Sequence, residues 1–338
     1  MDIHQPLTKL KSREKPPREN GAASLKNTKH THMKKLYFTA LVVIMAFTES
    51  YSQQDPHYTQ YMYNMNVINP AYAGSKESLS GGLLYRKQWV EIEDAPTTGT
   101  FFIHSPVGRN VGLGLSVITD KIGPVEENNV YGDFSYTLNL GGEHRLAFGL
   151  KAGVTMHKVD FNRIYPTLPD LDDDVFGGAN PNETFFNVGS GLFYYTDKYY
   201  VALSVPNLLK AKYLDYDGTK YGSEDMHYFL TGGYVFDLSP NLKFKPFAMV
   251  KSSFNAPTSF DVSTNFLFSE RFEIGATYRL DDSFGGMVNF AITPGLKIGY
   301  AYDHIVSDLK VVTPASHEFI LLFDINFAKK VSRSPRYF

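Results

Sequence analysis

Arg271 to Leu280 reads RFEIGATYRL, and its two faces decide the fold. Arg271, Glu273, Gly275, Thr277 and Arg279 fall on one side, while Phe272, Ile274, Ala276, Tyr278 and Leu280 fall on the other. A period of two belongs to a β-strand. Glu318 to Phe327 repeats it, with Phe319, Leu321, Phe323, Ile325 and Phe327 opposite Glu318, Asp324 and Asn326. Arg145 to His157 sets Leu146, Phe148, Leu150, Val154 and Met156 against Arg145, Lys151, Thr155 and His157. Lys243, Lys245 and Lys251 alternate in the same way with Leu242, Phe244 and Val250. In a soluble sandwich the apolar face turns to a core. In a membrane barrel it turns to lipid, and the polar face lines the lumen. Alternation is common to both, so strand length and loop rhythm must separate them.

Fourteen candidate strands follow along the chain: 78–90, 96–106, 111–121, 129–140, 145–159, 185–197, 199–209, 226–238, 242–254, 257–269, 271–282, 284–293, 296–307 and 315–328. Most are of the length a tilted membrane strand needs and longer than a soluble strand. The number is even, as in bacterial single-chain barrels. Short turns at 107–110, 141–144, 196–198, 239–241, 269–270 and 293–295 alternate with generally longer links, among them 161–184, 205–225 and 308–314. Short periplasmic turns and longer outer loops give that asymmetry. The sequence therefore predicts an all-β, up-and-down antiparallel transmembrane barrel over 78–328, with both termini on the periplasmic side. Tyr194-Tyr195 and Tyr199-Tyr200 flank one short turn, where an interfacial aromatic girdle belongs. A barrel of this size has a lumen that must be plugged or must conduct. Its expected lining is of mixed sign: Arg145, Lys151, Lys243, Lys245, Arg271, Arg279 and Lys297 against Asp133, Asp261, Glu273, Asp303, Glu318 and Asp324. Balanced charge favours pairing across the lumen over a selective ion path.

Residues 1–32 are polar and basic without hydrophobic period and read as a disordered leader. Met33, Lys34-Lys35 and the apolar run Leu36–Phe47, with Ser50 and Ser52 spaced for cleavage, read as a signal peptide over 33–52. Met33 is then the expected start. The run is too short to span a membrane, and no later segment is long enough to do so as a helix. The 338 residues contain no Cys, which removes disulfides and thiolate metal sites, and the net charge of −2 gives no electrostatic case for nucleic acid. Tyr and Phe number 23 and 26 against one Trp, a composition suited to exported β structure.

Between signal and strands lies QQDPHYTQYMYNMNVINPAYAGS, residues 53–75. Asp55 caps and Pro56 starts a predicted helix. Tyr58, Tyr61, Met62 and Met65 then recur as one stripe over about three turns. Asn69-Pro70 ends it, Tyr72 follows, and Gly74 releases the chain. The segment 53–77 is expected on the periplasmic side, as a plug at or within the barrel mouth or as a dock for a neighbouring subunit. Its stripe reads as a packing surface.

This stretch resembles the amino-terminal signature of the PorP/SprF family of outer-membrane proteins. Further similarity lies in Tyr85-Arg86-Lys87-Gln88-Trp89, in Ala95-Pro96-Thr97-Thr98, in His317-Glu318-Phe319, and in the tail Ser334-Pro335-Arg336-Tyr337-Phe338. Where the family usually has Gly before Ala-Pro, this chain has Glu93-Asp94, which puts the partner preference of the first outer loop in question. The resemblance implies a component of the type IX secretion system, with periplasmic and lipoprotein parts of that machine as partners. It also implies service to a large secreted surface protein such as a gliding adhesin, and a periplasmic tail over 329–338. On that basis Arg86, Trp89, Pro96, Pro335, Arg336, Tyr337 and Phe338 join Asp55, Pro56, Tyr58, Tyr61, Met62, Met65, Asn69, Pro70, Tyr72 and Gly74 as candidate plug or partner-binding residues. Trp89 reads equally as an interfacial anchor or as a brace for the first loop.

Other chemistry fits less well. Asp170, Asp172, Asp173 and Asp174, followed by Gly177-Gly178, offer carboxylates for calcium, but no distal Glu completes a calcium loop and a solvated acidic tip is the better reading. His57, His104, His144, His157, His227, His304 and His317 are scattered, and no G-x-S-x-G supplies a nucleophile. Gly112-x-Gly114 and Gly189-x-Gly191 are strand glycines, where barrels bend or fit bulky neighbours. The expected function is non-enzymatic and needs no cofactor: an outer-membrane barrel, bathed in outer-membrane lipid, that supports export or attachment of a surface protein. The rival is a passive porin or a lipid or solute transporter.

Overall fold

In a computed structural model, the residues described are 57–76, 78–160, 182–209, 212–216, 219–223, 226–254, 256–311, 313 and 315–326. The leader, the signal peptide, Asp55, Pro56, the acidic run Asp170, Asp172, Asp173 and Asp174, and the tail with Pro335, Arg336, Tyr337 and Phe338 lie outside them.

The alternating segments form β1 (Ser78–Lys87), β2 (Thr97–Pro106), β3 (Val111–Ile122), β4 (Val125–Gly141), β5 (His144–Val159), β6 (Asn182–Tyr195) and β7 (Tyr199–Val205). A small separate hairpin follows, β8 (Lys212–Tyr216) with β9 (Thr219–Ser223). The series resumes with β10 (His227–Tyr234), β11 (Phe236–Ser239), β12 (Leu242–Ser253), β13 (Ala256–Phe268), β14 (Phe272–Arg279), β15 (Ser283–Thr293), β16 (Leu296–Ile305) and β17 (Ala315–Asn326). Each strand pairs antiparallel with its neighbours. β10 and β11 form one stave interrupted at Val235, and both pair with β12. Pairing of β1 with β17, from Ser78↔Asn326 to Lys87↔His317, completes a closed barrel of fourteen staves.

The barrel is apolar outside and polar inside. On β14, Phe272, Ile274 and Tyr278 are 42%, 45% and 49% exposed, whereas Glu273 and Arg279 are 1% and 7% exposed. Leu83, Leu150, Val262 and Phe319 also face outward, while Lys151, Lys245, Asp261 and Glu318 are buried. A soluble sandwich would have the opposite arrangement, so the wall is built for lipid.

Both ends of the strand series meet at one rim, here the turn end, with the tight links after β2, β4, β6, β11, β13 and β15. The opposite rim, the loop end, carries the longer links after β1, β5, β7 and β16. Three loop-end links depart from the expected rhythm: those after β3, β12 and β14 are as tight as the turns. The β3–β4 ladder explains the first, since pairing continues to Ile122↔Val125 and leaves only Gly123 and Pro124 to reverse the chain.

An aromatic girdle rings part of the turn end. His144, Tyr194, Tyr199, Tyr234, Phe236, Phe244 and Phe266 follow one another across β5 to β13, with successive centroids 4.3–6.0 Å apart. Tyr195 and Tyr200 are not part of it. As strand neighbours of Tyr194 and Tyr199 they must point the other way, and both are buried inside beside Phe193.

Candidate functional site: the filled lumen

Residues 57–76 lie inside the barrel. The predicted helix does not form: the segment is a chain of tight turns, 3-10 at Tyr61–Tyr63, α at Met65–Ile68 and 3-10 at Pro70–Tyr72. A one-sided stripe suits a helix lying on a flat surface, but here walls surround the segment on every side. Tyr58, Tyr61, Met62, Met65, Val67, Ile68 and Tyr72 are all buried, and so are Gln60, Asn64, Asn66 and Asn69. The irregular backbone aims its own N–H and C=O groups at partners on the wall, while the side-chain amides of Gln60 and Asn64 are buried with no hydrogen-bond partner. Asn69 caps the last turn by accepting from the Ala71 N–H at 2.9 Å, with Pro70 at the first position.

The plug is fastened at both levels of the lumen. Toward the loop end, Glu318 accepts from the backbone N–H groups of Thr59 and Gln60, both at 2.8 Å. Arg86 donates to Thr59 Oγ1 at 2.7 Å, to Asp303 at 2.9 Å and to Glu318 at 3.2 Å. Tyr58 shares a hydrogen bond with Thr100 at 3.1 Å. Toward the turn end, the Tyr63 hydroxyl donates to Glu273, and Lys245 donates to that hydroxyl at 3.0 Å. Lys245 and Lys297 also stand 5.1 and 5.2 Å from the Tyr63 ring centre. Asn66 donates to Asp133, itself paired with Lys151 at 3.0 Å. The carbonyls of Ile68 and Ala73 accept from Ser204 and Ser135, and the Asn69 amide donates to the Leu192 carbonyl.

Inward glycines make the room. A methyl group on Gly149 would lie 2.0 Å from the Ala71 nitrogen, one on Gly112 would lie 2.1 Å from the Ala73 oxygen, and one on Gly191 would meet the Asn69 side chain at 2.1 Å. Gly74 itself has φ +69°, the left-handed turn that brings the plug back to the wall before β1. Gly112, Gly114, Gly149 and Gly191 are thus the negative image of the plug, whereas Gly189 makes room for Pro206.

The chain runs through the lumen from loop end to turn end. His57 to Gln60 lie at the level of Arg86, Asp303 and Glu318, near the loop-end limits of β1, β16 and β17. Ala73 and Gly74 lie by Ser135, Pro106 and Gly112 near the turn end.

Charge pairing runs along the wall rather than across the lumen. Arg86 on β1 meets Asp303 and Glu318, Lys151 on β5 meets Asp133 on β4, Lys245 on β12 meets Glu273 on β14, and Arg279 on β14 meets Asp261 on β13 at 2.8 Å. The plug occupies the space between opposite walls. Arg145, Lys243 and Arg271, expected in the lining, are held at the turn-end rim: Arg145 by the β4–β5 turn, Lys243 by Asp237, and Arg271 over Phe290.

Trp89 and Pro96 belong to the first loop. Trp89 donates its backbone N–H to Ser316 at 3.2 Å, Val90 donates to the Ala315 carbonyl at 3.0 Å, and Gln88 donates to the Pro96 carbonyl at 2.9 Å. Those bonds brace the loop against β17. Asp94 takes φ 58°, a conformation that a Gly there would adopt without strain. Among the described residues no cluster of metal-ligating side chains is present.

Several solved structures are similar to this chain. They include the Acinetobacter baumannii outer membrane protein Omp33 (12% identity, 75% of this chain and 100% of that one, TM-score 0.43) and the CymD monoaromatic hydrocarbon channel (11%, 79% and 99%, 0.48). The Pseudomonas putida toluene transporter TodX is a third (8%, 79% and 94%, 0.46). No curated protein matches the chain. A family model described as "Type IX secretion system membrane protein PorP/SprF" matches residues 50–323.

Proposed function

Because the chain belongs to the PorP/SprF family of type IX secretion system membrane proteins, we propose that this outer-membrane barrel is a closed, non-enzymatic docking component that supports export or surface attachment of a large secreted protein. The observation that carries the reading is the plug: residues from the chain's own amino-terminal side fill the lumen and bond to staves all round it. A barrel filled in this way serves by its rims and its outer wall rather than by conduction. In this reading a signal peptide over 33–52 exports the chain, and the turn end with the tail faces the periplasm. There Pro335, Arg336, Tyr337 and Phe338 meet periplasmic or lipoprotein parts of the machine. The braced first loop, with Trp89 and Pro96, faces outward toward the secreted protein, an adhesin of the kind used in gliding.

Two measurements test this. In planar bilayers the intact protein should stay closed, and deletion of 57–75 should open it; large steady currents from the intact protein would favour a porin or solute transporter. In cells, loss of the gene should abolish surface display of at least one large secreted protein. Unchanged display of every surface protein would defeat the proposal.

A further inference from the structure

The outer wall has a dent. Outward-facing side chains from β3, β2, β1, β17, β16, β15 and β14 enclose a cleft of about 1020 Å³ on the lipid side, at the upper end of the range for small-ligand sites. Its floor is the seam where β1 meets β17, and Phe101 and Phe290 stand on its two banks. The reverse of that seam carries the Arg86–Glu318–Asp303 cluster and the bonds to Thr59 and Gln60. The cleft and the tie to the plug thus lie back to back on the same seam.

Polarity is graded along the β1–β17 seam, from a pair just beyond the cleft's loop-end edge down into its apolar floor. Registered pairs facing outward run from Lys87↔His317 at the loop end, through Tyr85↔Phe319, to Leu83↔Leu321. That is cation and imidazole, then aromatic, then aliphatic, over about 13 Å of strand. His317 is held by Tyr300 at 2.7 Å, while Lys87 is exposed and has no acidic partner among the described residues. An amphiphile with an anionic head at the loop end and an acyl tail pointing to the turn end matches this order. We infer that the cleft is a binding site for one membrane lipid with a phosphate headgroup, Lys87 and His317 taking the phosphate and Leu83, Phe101, Phe319 and Leu321 the acyl chain. A helix of another protein would meet the same apolar floor, but it would not account for the gradient.

Native mass spectrometry of the full chain in detergent tests the site, with phosphatidylglycerol and phosphatidylcholine of identical acyl chains as probes. Heat-modifiable gel mobility reports folding. The wild type should retain one phosphatidylglycerol in about tenfold preference to phosphatidylcholine, as expected for a single charge-assisted contact. Leu83→Trp, which fills the cleft, should lose both lipids; Val117→Trp on the bank is the second variant if the first does not fold. Lys87→Glu should keep acyl binding but lose the headgroup preference. Equal retention of the two lipids by the wild type, or undiminished retention by the filled variants, would overturn the inference. So would loss of a bound protein or a second copy from the filled variants with lipid unchanged.

Discussion

Replacing Arg86 with Met should cost the barrel about 3–5 kcal/mol, because it leaves buried carboxylates without their cation. Arg86, Asp303 and Glu318 have side chains 2%, 3% and 0% exposed, so water cannot take over the lost role. Asp303 loses a 2.9 Å partner and Glu318 a 3.2 Å partner, while Thr59 loses the 2.7 Å bond to its hydroxyl. For a chain of this size the cost corresponds to a fall of about 10 °C in the unfolding midpoint, read from heat-modifiable mobility. Loosening of Thr59 and Gln60 should also appear in planar bilayers as brief openings. The compensating variant Arg86→Met/Asp303→Asn/Glu318→Gln removes the stranded charges and should recover at least half of the midpoint. An unchanged midpoint for Arg86→Met, or a triple variant as unstable as the single one, would refute the assignment of a charge-compensated tie between wall and plug.

Three further outcomes follow from the same geometry. Gly149→Val should drive Asn69–Ala73 off the wall, since its Cβ would lie 2.0 Å from backbone, giving a folded barrel that conducts; a closed barrel would show that the wall yields instead. Val262→Arg, on a lipid-facing position that is 50% exposed, should destabilise the protein in membranes by about 2–4 kcal/mol, whereas a protein surrounded by water would tolerate it. Asp94→Gly should raise stability by about 0.5 kcal/mol by removing the side chain from a left-handed φ of 58°, and a loss on equilibrium unfolding would contradict that reading.

Much of the wall was legible because alternation is a local property. All fourteen staves lie within a few residues of the expected segments, and the two faces of Arg271–Leu280 divide as read. Which face meets lipid was not in the period itself; the aromatic pairs and strand lengths carried that inference. What failed depended on surroundings. The Tyr58, Tyr61, Met62, Met65 stripe has helical spacing, but enclosure on all sides favours turns that aim backbone groups at Glu318, Ser204 and Ser135. Tyr195 and Tyr200 flank the same short turn as Tyr194 and Tyr199, but adjacent strand residues cannot share a face, and these two point inward. Arg145, Lys243 and Arg271 were assigned to the lining by parity alone, which is silent about height along the barrel. Inward Gly112, Gly149 and Gly191 were the one trace of the plug written into the strands.

The fastening of the amino-terminal segment also bears on how the barrel comes to be closed. Arg86 is on the first strand and Glu318 on the last, 232 positions away, and both hold Thr59. Strands so distant in sequence meet late and at high entropic cost. The segment lies against the point where they join, so the seam is braced by Thr59 and Gln60 as well as by its own ladder. Without the leading residues, Arg86 would still stand between the two carboxylates, but Glu318 would lose the backbone N–H groups of Thr59 and Gln60. The seam that closes the cylinder is thereby held in part by residues that belong to no strand of it.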